Sequence, residues 1–500
     1  MAGLVLAYEA RSRSLLGMQR TGLVLLGAMG LWACGITLVG GGSPDPEPEP
    51  TPKIDAGKAG GDAANDAPPP PPSTSLGNGQ SGDVTVSAVQ IVNRYASLKQ
   101  PVTAEATKVV INSNIEADKT KPTDTSDFDP GRLVLLWKST SGAAATADAM
   151  ANGTGTYAVR RILGIEKAGA DNVLVLDAAV GLMGTADEIQ AVLLPEYKSL
   201  QVTTNGTIDA MPFDGRIGGI VAFLVSETAT IEGSVTAHGG GRGGIVKATN
   251  KKNCTNVDGK PDDGYGHKGE GVLRTFFGPT NGTALFGGPP AHGNGGGGGG
   301  CYAAGGGGGG NGTAGGAGGY TLDAVTADLG GRGGDALKGD KTAIFLGGGG
   351  GAGSLEDGNG PGGAGGGAIW IRADRVIGKG TYDVSGSTAT FTLGTKATGG
   401  GGGGAGGTLD IQVKASLDCT QLAAVGGSGA ATGSAASPTL SGGGGGGGGA
   451  GRIIVTEASA REVSCAFKVA PGPGGGDRMA KDGEALTTPT ATITEVPRLK

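Results

Sequence analysis

The stretch from Gly399 to Val413 reads Gly-Gly-Gly-Gly-Gly-Gly-Ala-Gly-Gly-Thr-Leu-Asp-Ile-Gln-Val. A run of glycine leads directly into a segment in which apolar and polar residues alternate. Successive side chains of a β-strand point to opposite faces, so Leu409, Ile411 and Val413 share one apolar face. The stretch therefore predicts a half-buried strand that is entered from a backbone without side chains.

The same plan recurs along the chain. Each copy has a strand of period two, a short break, a second short strand and an exit into glycine; the copies are 219–238, 367–384, 407–422 and 451–467. One such pair of strands cannot bury its apolar face alone, whereas stacked copies can. We therefore expect an all-β chain with an N-terminal sandwich-like or barrel-like module followed by glycine-rich, parallel β-helix-like repeats. An antiparallel β-sandwich with polyglycine loops is the alternative.

Glycine tracts lie between these strands, at 293–319, 346–367, 399–407 and 442–451. They are compatible with flexible loops. They are also compatible with extended polyglycine helices of three residues per turn, which pack closely because no side chain intervenes. Their recurrence just before each strand favours the ordered arrangement.

Composition limits the class of protein. Glycine supplies 108 of the 500 residues, about three times its average usage of about 7%. This much glycine opposes helices and argues against an ordinary helical enzyme. The blocks lack the strict three-residue period of collagen. The net charge of −6 argues against nucleic acid as a partner.

Residues 1–33 have the pattern of a signal peptide, because Arg11, Arg13 and Arg20 precede an uncharged apolar run. The run contains Leu31-Trp-Ala-Cys34, which resembles a bacterial lipobox, so we expect Cys34 to be lipidated. Plain secretion and an uncleaved membrane anchor are the alternatives. Each of them places the rest of the chain outside the cytoplasm, anchored to the outer membrane or at the cell surface.

Four regions follow the signal peptide. Residues 34–82 form an acidic linker with 10 of the 25 prolines and no apolar periodicity, so we expect a disordered, extended tether. Residues 83–212 form the β-rich module, in which Ala144–Met150 and Thr185–Ala191 are compatible with short helices. Residues 213–475 form the repeat domain. Residues 476–500 form a C-terminal tail.

Cysteine spacing gives a check on the repeats. Cys419 and Cys465 each precede a glycine, Gly426 and Gly472, by seven residues. Equivalent positions in neighbouring parallel strands are about 4.8 Å apart, which suits a disulfide. We therefore pair Cys419 with Cys465 and, by remainder, Cys254 with Cys301. An extracytoplasmic location favours their oxidation.

The residues that could carry chemistry form no recognisable motif. His238, His267 and His292 lack metal-ligand spacing and lie near glycine. Gly330 to Leu337 matches a single copy of the calcium β-roll pattern, but such sites use tandem copies, so Asp335 is expected to be a solvated turn residue. We expect no catalytic, cofactor or metal site.

Three carboxylates flank the first repeat, namely Asp209, Asp214 and Glu227. A pair of carboxyl groups can cleave glycosidic bonds. Charged residues more commonly form a solvated face, and we therefore expect a protein that is not an enzyme.

Several segments occur in an order that resembles a group of bacterial glycine-rich cell-surface proteins, of the myxobacterial adventurous-gliding-motility or PE-PGRS-like type. The segments are Val92–Leu98, Pro130–Leu136, Gly155–Val159, Leu194–Val202, Gly218–Phe223 and Gly240–Gly244. The resemblance covers about residues 84–475 and implies a secreted surface protein.

From these features we expect an exported, lipid-anchored surface protein with a structural or adhesive role, in matrix contact or as a motility accessory. Its expected partners are the membrane, through the anchor, and an extracellular polysaccharide or a neighbouring cell surface. A polysaccharide-binding or polysaccharide-cleaving β-solenoid is the alternative. A lining of aromatic residues and paired carboxylates would favour that alternative.

Overall fold

The computed structural model describes residues 76–114, 121–141, 153–243, 266–273, 291, 293–300, 303–319, 330–338, 342–354, 360–390, 398–432, 442–457, 463–475 and 492–493. The signal peptide, Cys34, Cys254, Cys301 and His292 lie outside these ranges, as do most of the linker and the tail. No residue within them is helical, and no membrane-spanning helix is found among them.

Thirteen strands pair in parallel to form the larger sheet. One part of it, which we name the long-strand wall after β12 and β14, contains β1 (Asp83–Val86), β9 (Glu196–Tyr197), β10 (Ser199–Val202), β12 (Ile220–Ile231), β14 (Ala368–Ile377), the first half of β16 (Thr408–Ala423), β17 (Arg452–Glu457) and β19 (Thr492–Ile493). The other part, which we name the short-strand wall, contains β2 (Val89–Gln90), β11 (Thr207–Asp209), β13 (Ser234–Thr236), β15 (Thr381–Asp383), the second half of β16, and β18 (Ser464–Lys468).

Long and short strands alternate along the chain and form two walls of a solenoid. Each rung adds one strand to each wall, and neighbouring rungs keep their apolar residues in register: Val221 pairs with Ile369, and Ile369 with Leu409. These residues pack against the inward positions of the short strands, such as Val235 and Tyr382. The prediction of an all-β chain with parallel, β-helix-like repeats is confirmed, and the antiparallel alternative for the repeats is wrong.

The second sheet is antiparallel and lies between β2 and β9 in the chain. Its strands are β3 (Arg94–Ser97), β4 (Lys108–Ile111), β5 (Leu133–Lys138), β6 (Tyr157–Ala168), β7 (Asp171–Leu176) and β8 (Ile189–Leu194), in the order β3-β8-β5-β6-β7-β4. Lys99 N–H donates to Val110 O and Asn112 N–H to Ser97 O, both at 2.9 Å, which joins β3 to β4 and closes a barrel.

The barrel packs its outer surface on the solenoid. Tyr95, Leu135 and Trp137 of the barrel share one buried apolar cluster with Ala222 and Trp370 of the long-strand wall. The parallel sheet therefore draws strands from both sides of residue 212. The short helix expected at Thr185–Ala191 is wrong, because residues from Ile189 onward pair with both β3 and β5. The Ala144–Met150 segment lies outside the described residues.

The glycine tracts are ordered and mostly buried, with exposed residues only in outer members. We call them together the glycine bundle: 293–300, 303–311, 314–319, 330–338, 346–354, 360–367, 399–407, 424–430 and 442–451. The tract 303–311 shows how they are held. Its N–H groups point in turn to three different neighbours. Gly305 and Gly308 donate to Gly319 and Gly316, Gly306 and Gly309 to Gly400 and Gly403, and Gly307 and Gly310 to Gly297 and Asn294, at 2.7–2.9 Å.

This periodicity of three is that of an extended helix with three residues per turn. A side chain would prevent the packing. A Cβ added to Gly402 would lie far inside van der Waals contact of the Gly307 carbonyl, and 2.7 Å from the Gly308 nitrogen. No positive φ is involved at Gly402, so the close approach of two backbones, rather than backbone conformation, requires glycine there.

A disulfide joins the last two rungs. Cys419 and Cys465 are bonded, with their Cα atoms 4.8 Å apart, which is the spacing of neighbouring strands. The predicted pairing of these two cysteines agrees with the structure.

Gly402→Ala should lower the free energy of unfolding by about 1–3 kcal/mol or more, because the methyl group overpacks two backbones. Gly164→Ala is the matched control, since nothing lies within 4 Å of its Cβ position. That change should shift stability by less than about 1 kcal/mol, in the stabilising direction. Urea unfolding of both variants measures the difference, and equal midpoints would show that the bundle tolerates side chains.

Replacing Cys419 and Cys465 with alanine should cost about 4 kcal/mol on the chain-entropy model, given a sequence separation of 46 residues. Guanidinium unfolding of the double variant and of the oxidised wild type measures this loss. Peptide mapping without reductant should recover both cysteines in one cross-linked peptide. Recovery of each as a free thiol would contradict the pairing.

Candidate functional site

The outward face of the short-strand wall carries two rows of polar side chains. Middle residues of the short strands, such as Ile208, Val235 and Tyr382, point into the core. The residues on either side of them point outward and are half-buried. One outward row contains Thr207 and Ser234, whose hydroxyl oxygens are 2.9 Å apart.

The second outward row is Asp209, Thr236 and Asp383, which are paired positions on three successive strands. His238 follows this row at the start of a glycine tract, and its Nδ1 lies 3.6 Å from Asp383 Oδ2. His238 N–H donates to Thr236 Oγ1 at 3.1 Å, and Thr236 Oγ1 donates to the Asp383 carbonyl at 3.4 Å. The row thus brings two carboxylates, a hydroxyl and an imidazole together on one face.

Burial raises the pKa of Asp209. The Ala210 N–H, which donates to Asp209 Oδ1 at 2.8 Å, and the nearby His238 oppose that shift. Asp383 is bound differently, since its Oδ1 accepts from Ser385 N–H at 2.8 Å. Half-buried oxygens of this kind can accept hydrogen bonds from hydroxylated ligands.

The three carboxylates singled out from the sequence do not lie together. Asp209 lies on the short-strand face. Asp214 closes a turn, where its Oδ1 accepts from the N–H groups of Arg216 and Ile217. Glu227 lies on β12 of the other wall and faces Lys198 at 3.9 Å, in an exposed ion pair.

Asp383 and Thr236 were missed by sequence reasoning. Their signal is positional, because Asp209, Thr236 and Asp383 each end a short strand. Only the register between rungs shows that these endings form a row.

The remaining sequence candidates lie apart from this face. Asp335 lies in the tract 330–338 of the bundle, outside any strand, and its side chain is exposed. Partial desolvation of its carboxyl group raises its pKa. His267 lies in the segment 266–273, where its carbonyl accepts from Ala352 N–H at 2.8 Å. Among the residues that the structure describes, no group of three or more His, Cys, Asp or Glu side chains could hold a metal ion.

A buried cation connects the barrel to the bundle. Arg242 is 2% exposed, its guanidinium donates to the Ser139 carbonyl and it lies 5.3 Å from the centre of the Phe213 ring. Burial lowers its pKa to about 10, while nearby Glu270 opposes that shift. Burial also raises the pKa of Glu270, whose Oε2 accepts from Gly243 N–H at 2.8 Å. These contacts give the group a structural role.

Asp209→Asn should raise the melting temperature slightly at pH 7. A carboxyl group whose pKa is raised by folding binds more protons in the native state, so stability falls as pH rises from its ordinary value of 3.8 through the folded pKa. The amide removes that loss, and the effect should stay below about 1 kcal/mol because the group is half-exposed. Below pH 3.8 the wild type and Asp209→Asn should have the same melting temperature. Glu227→Gln is the control, with no expected change, and a lower melting temperature for Asp209→Asn at pH 7 would contradict the argument.

Comparison with known proteins assigns the chain to no family. No protein-family model matches the chain, and no curated protein is significantly similar to it in sequence. The resemblance to glycine-rich bacterial surface proteins therefore stays a prediction that rests on the segments quoted above.

Proposed function

We propose that the chain is an exported, lipid-anchored surface protein whose folded part has a structural or adhesive role. The glycine bundle is the observation that carries this proposal. Its interior is backbone, held by N–H···O=C bonds between tracts. A body built in this way offers few side chains for chemistry, which suits a part that holds or presents a surface.

The disulfide supports export. Disulfides persist in oxidising compartments and are rare in the cytosol, and Cys419–Cys465 joins adjacent rungs in the folded chain. The basic and apolar N-terminal sequence ending at Cys34 is consistent with the same destination. The acidic, proline-rich linker would then separate the folded part from the membrane.

Polysaccharide binding is a second candidate, favoured by the short-strand face. Asp209, Thr236 and Asp383 form a half-buried polar row on the outward face, and successive members lie about 4.8 Å apart at the normal strand spacing. Hydroxyl and carboxylate oxygens at regular intervals can pair with the hydroxyl groups of an extended polymer.

One binding experiment separates the two candidates. The exported chain, with Cys34→Ser to omit the lipid, is titrated against bacterial exopolysaccharides and whole cells. Saturable binding that Asp209→Ala/Asp383→Ala weakens at least tenfold supports the polysaccharide face. The control Glu166→Ala/Glu227→Ala removes the same charge from exposed positions elsewhere and should bind normally. Binding to cells that ignores both variants supports adhesion through another surface, and release of reducing ends would show cleavage.

Anchoring is tested separately in cells. Labelled palmitate should enter the wild-type chain and not Cys34→Ser, and the wild type should fractionate with membranes. Recovery of both proteins in the cytosol would contradict the proposal as a whole.

A further inference from the structure

The tract 330–338 is an outer member of the glycine bundle. It reads Gly-Gly-Arg-Gly-Gly-Asp-Ala-Leu-Lys. Gly331 and Gly334 donate inward, to Gly305 at 2.9 Å and Gly308 at 2.8 Å. On another side the tract accepts from Gly315 and Gly318, at 2.9 and 2.8 Å.

Residues of this tract fall into three rows because three residues make one turn. The row of Gly331, Gly334 and Leu337 is buried. The row of Arg332, Asp335 and Lys338 is exposed, with its members about 9.3 Å apart along the tract. The charged side chains thus stand in a line on the solvent side.

Inside the bundle, tracts pack directly against one another, as 303–311 does against 399–407 through Gly306 and Gly309. The same packing would be open to a second molecule if the outer row were bare. Within the described part of the chain, the N–H groups of Gly333 and Ala336 make no hydrogen bond, so unused donors are available at this surface. An unpaired backbone edge of this kind is a template for association, and proteins commonly protect such edges with charged side chains.

We infer that Arg332, Asp335 and Lys338 prevent the glycine bundle from continuing into a second copy of this chain. A docked tract would have to approach within backbone contact of their row, where Cβ atoms already obstruct it. Docking would also bury three charges, which is unfavourable unless each is paired. The segment that these side chains exclude is the tract 330–338 of another copy. The two copies would pack about a two-fold axis, because such an interface uses the same surface of both molecules.

This inference does not depend on the proposed function. Three variants test it, each made in the exported chain with Cys34→Ser. Arg332→Gly/Asp335→Gly/Lys338→Gly bares the row. Arg332→Glu/Asp335→Lys/Lys338→Glu keeps charged side chains with reversed signs. Lys108→Ala/Glu166→Ala/Lys198→Ala removes the same charges from exposed positions of the barrel and the long-strand wall.

Sedimentation equilibrium over a range of concentrations gives the result. The wild type, the reversed variant and the remote control should remain monomeric. The glycine variant should show a weight-average mass that rises toward twice the monomer with concentration. Circular dichroism and a melting curve establish that each variant is folded. Should the triple variant fail to fold, Arg332→Gly/Lys338→Gly should still show the rise. A folded glycine variant that stays monomeric, or a wild type that already associates through this tract, would overturn the inference.

Discussion

The close approach of one glycine backbone to another is the constraint on which the structure depends. Neighbouring tracts lie so near each other that a Cβ added at most of their glycines would overlap a carbonyl group, as Gly404 facing the Ala364 carbonyl and Gly448 facing the Gly404 carbonyl illustrate. Glycine loses the most conformational entropy on ordering. The bundle offsets that loss by pairing the tracts through repeated hydrogen bonds and by burying them, so its order is collective rather than local.

The solenoid and the bundle fix each other's register. Tracts 360–367, 399–407 and 442–451 run directly into β14, β16 and β17, and they are bonded to one another in the same parallel order as those strands. Gly363 donates to Gly402 and Gly403 to Gly446. A slip of one residue in a strand would turn its apolar face outward, and it would also displace the tract that precedes it. A shift by a single residue is therefore unfavourable in the sheet and in the bundle at once.

Much of this architecture could be predicted from local sequence, and the rest could not, for physical reasons. Period-two alternation at 409–413 predicts the strand and its buried face, and the repeated cysteine spacing predicts the bond between Cys419 and Cys465. Local patterns do not show which strands pair when they are far apart in the chain. Residues 189–194 join β3 and β5 because the barrel needs a central strand there, which overrides a weak helical preference. Asp383 lies in the same row as Asp209 because their strands, β11 and β15, both pair with β13, although more than a hundred residues of chain separate these two strands.

Buried charge is concentrated where the side-chain-rich parts meet. Arg161 of the barrel pairs with the fully buried Glu196 of the parallel sheet at 2.9 Å, and Arg372 with Asp410 at 2.7 Å beside Tyr157 of the barrel. Such pairs contribute little net stability compared with apolar contacts, but they tolerate few alternative arrangements, because separating them leaves an unpaired buried charge.

The hydrogen-bonded glycine tracts are repetitive and allow slippage by whole turns, since one glycine is like the next. Within the bundle, the buried side chains of Asn294 and Asn311 donate hydrogen bonds to carbonyl groups of neighbouring tracts. Together with the polar contacts at its boundary, these bonds select one alignment of a bundle that would otherwise have many.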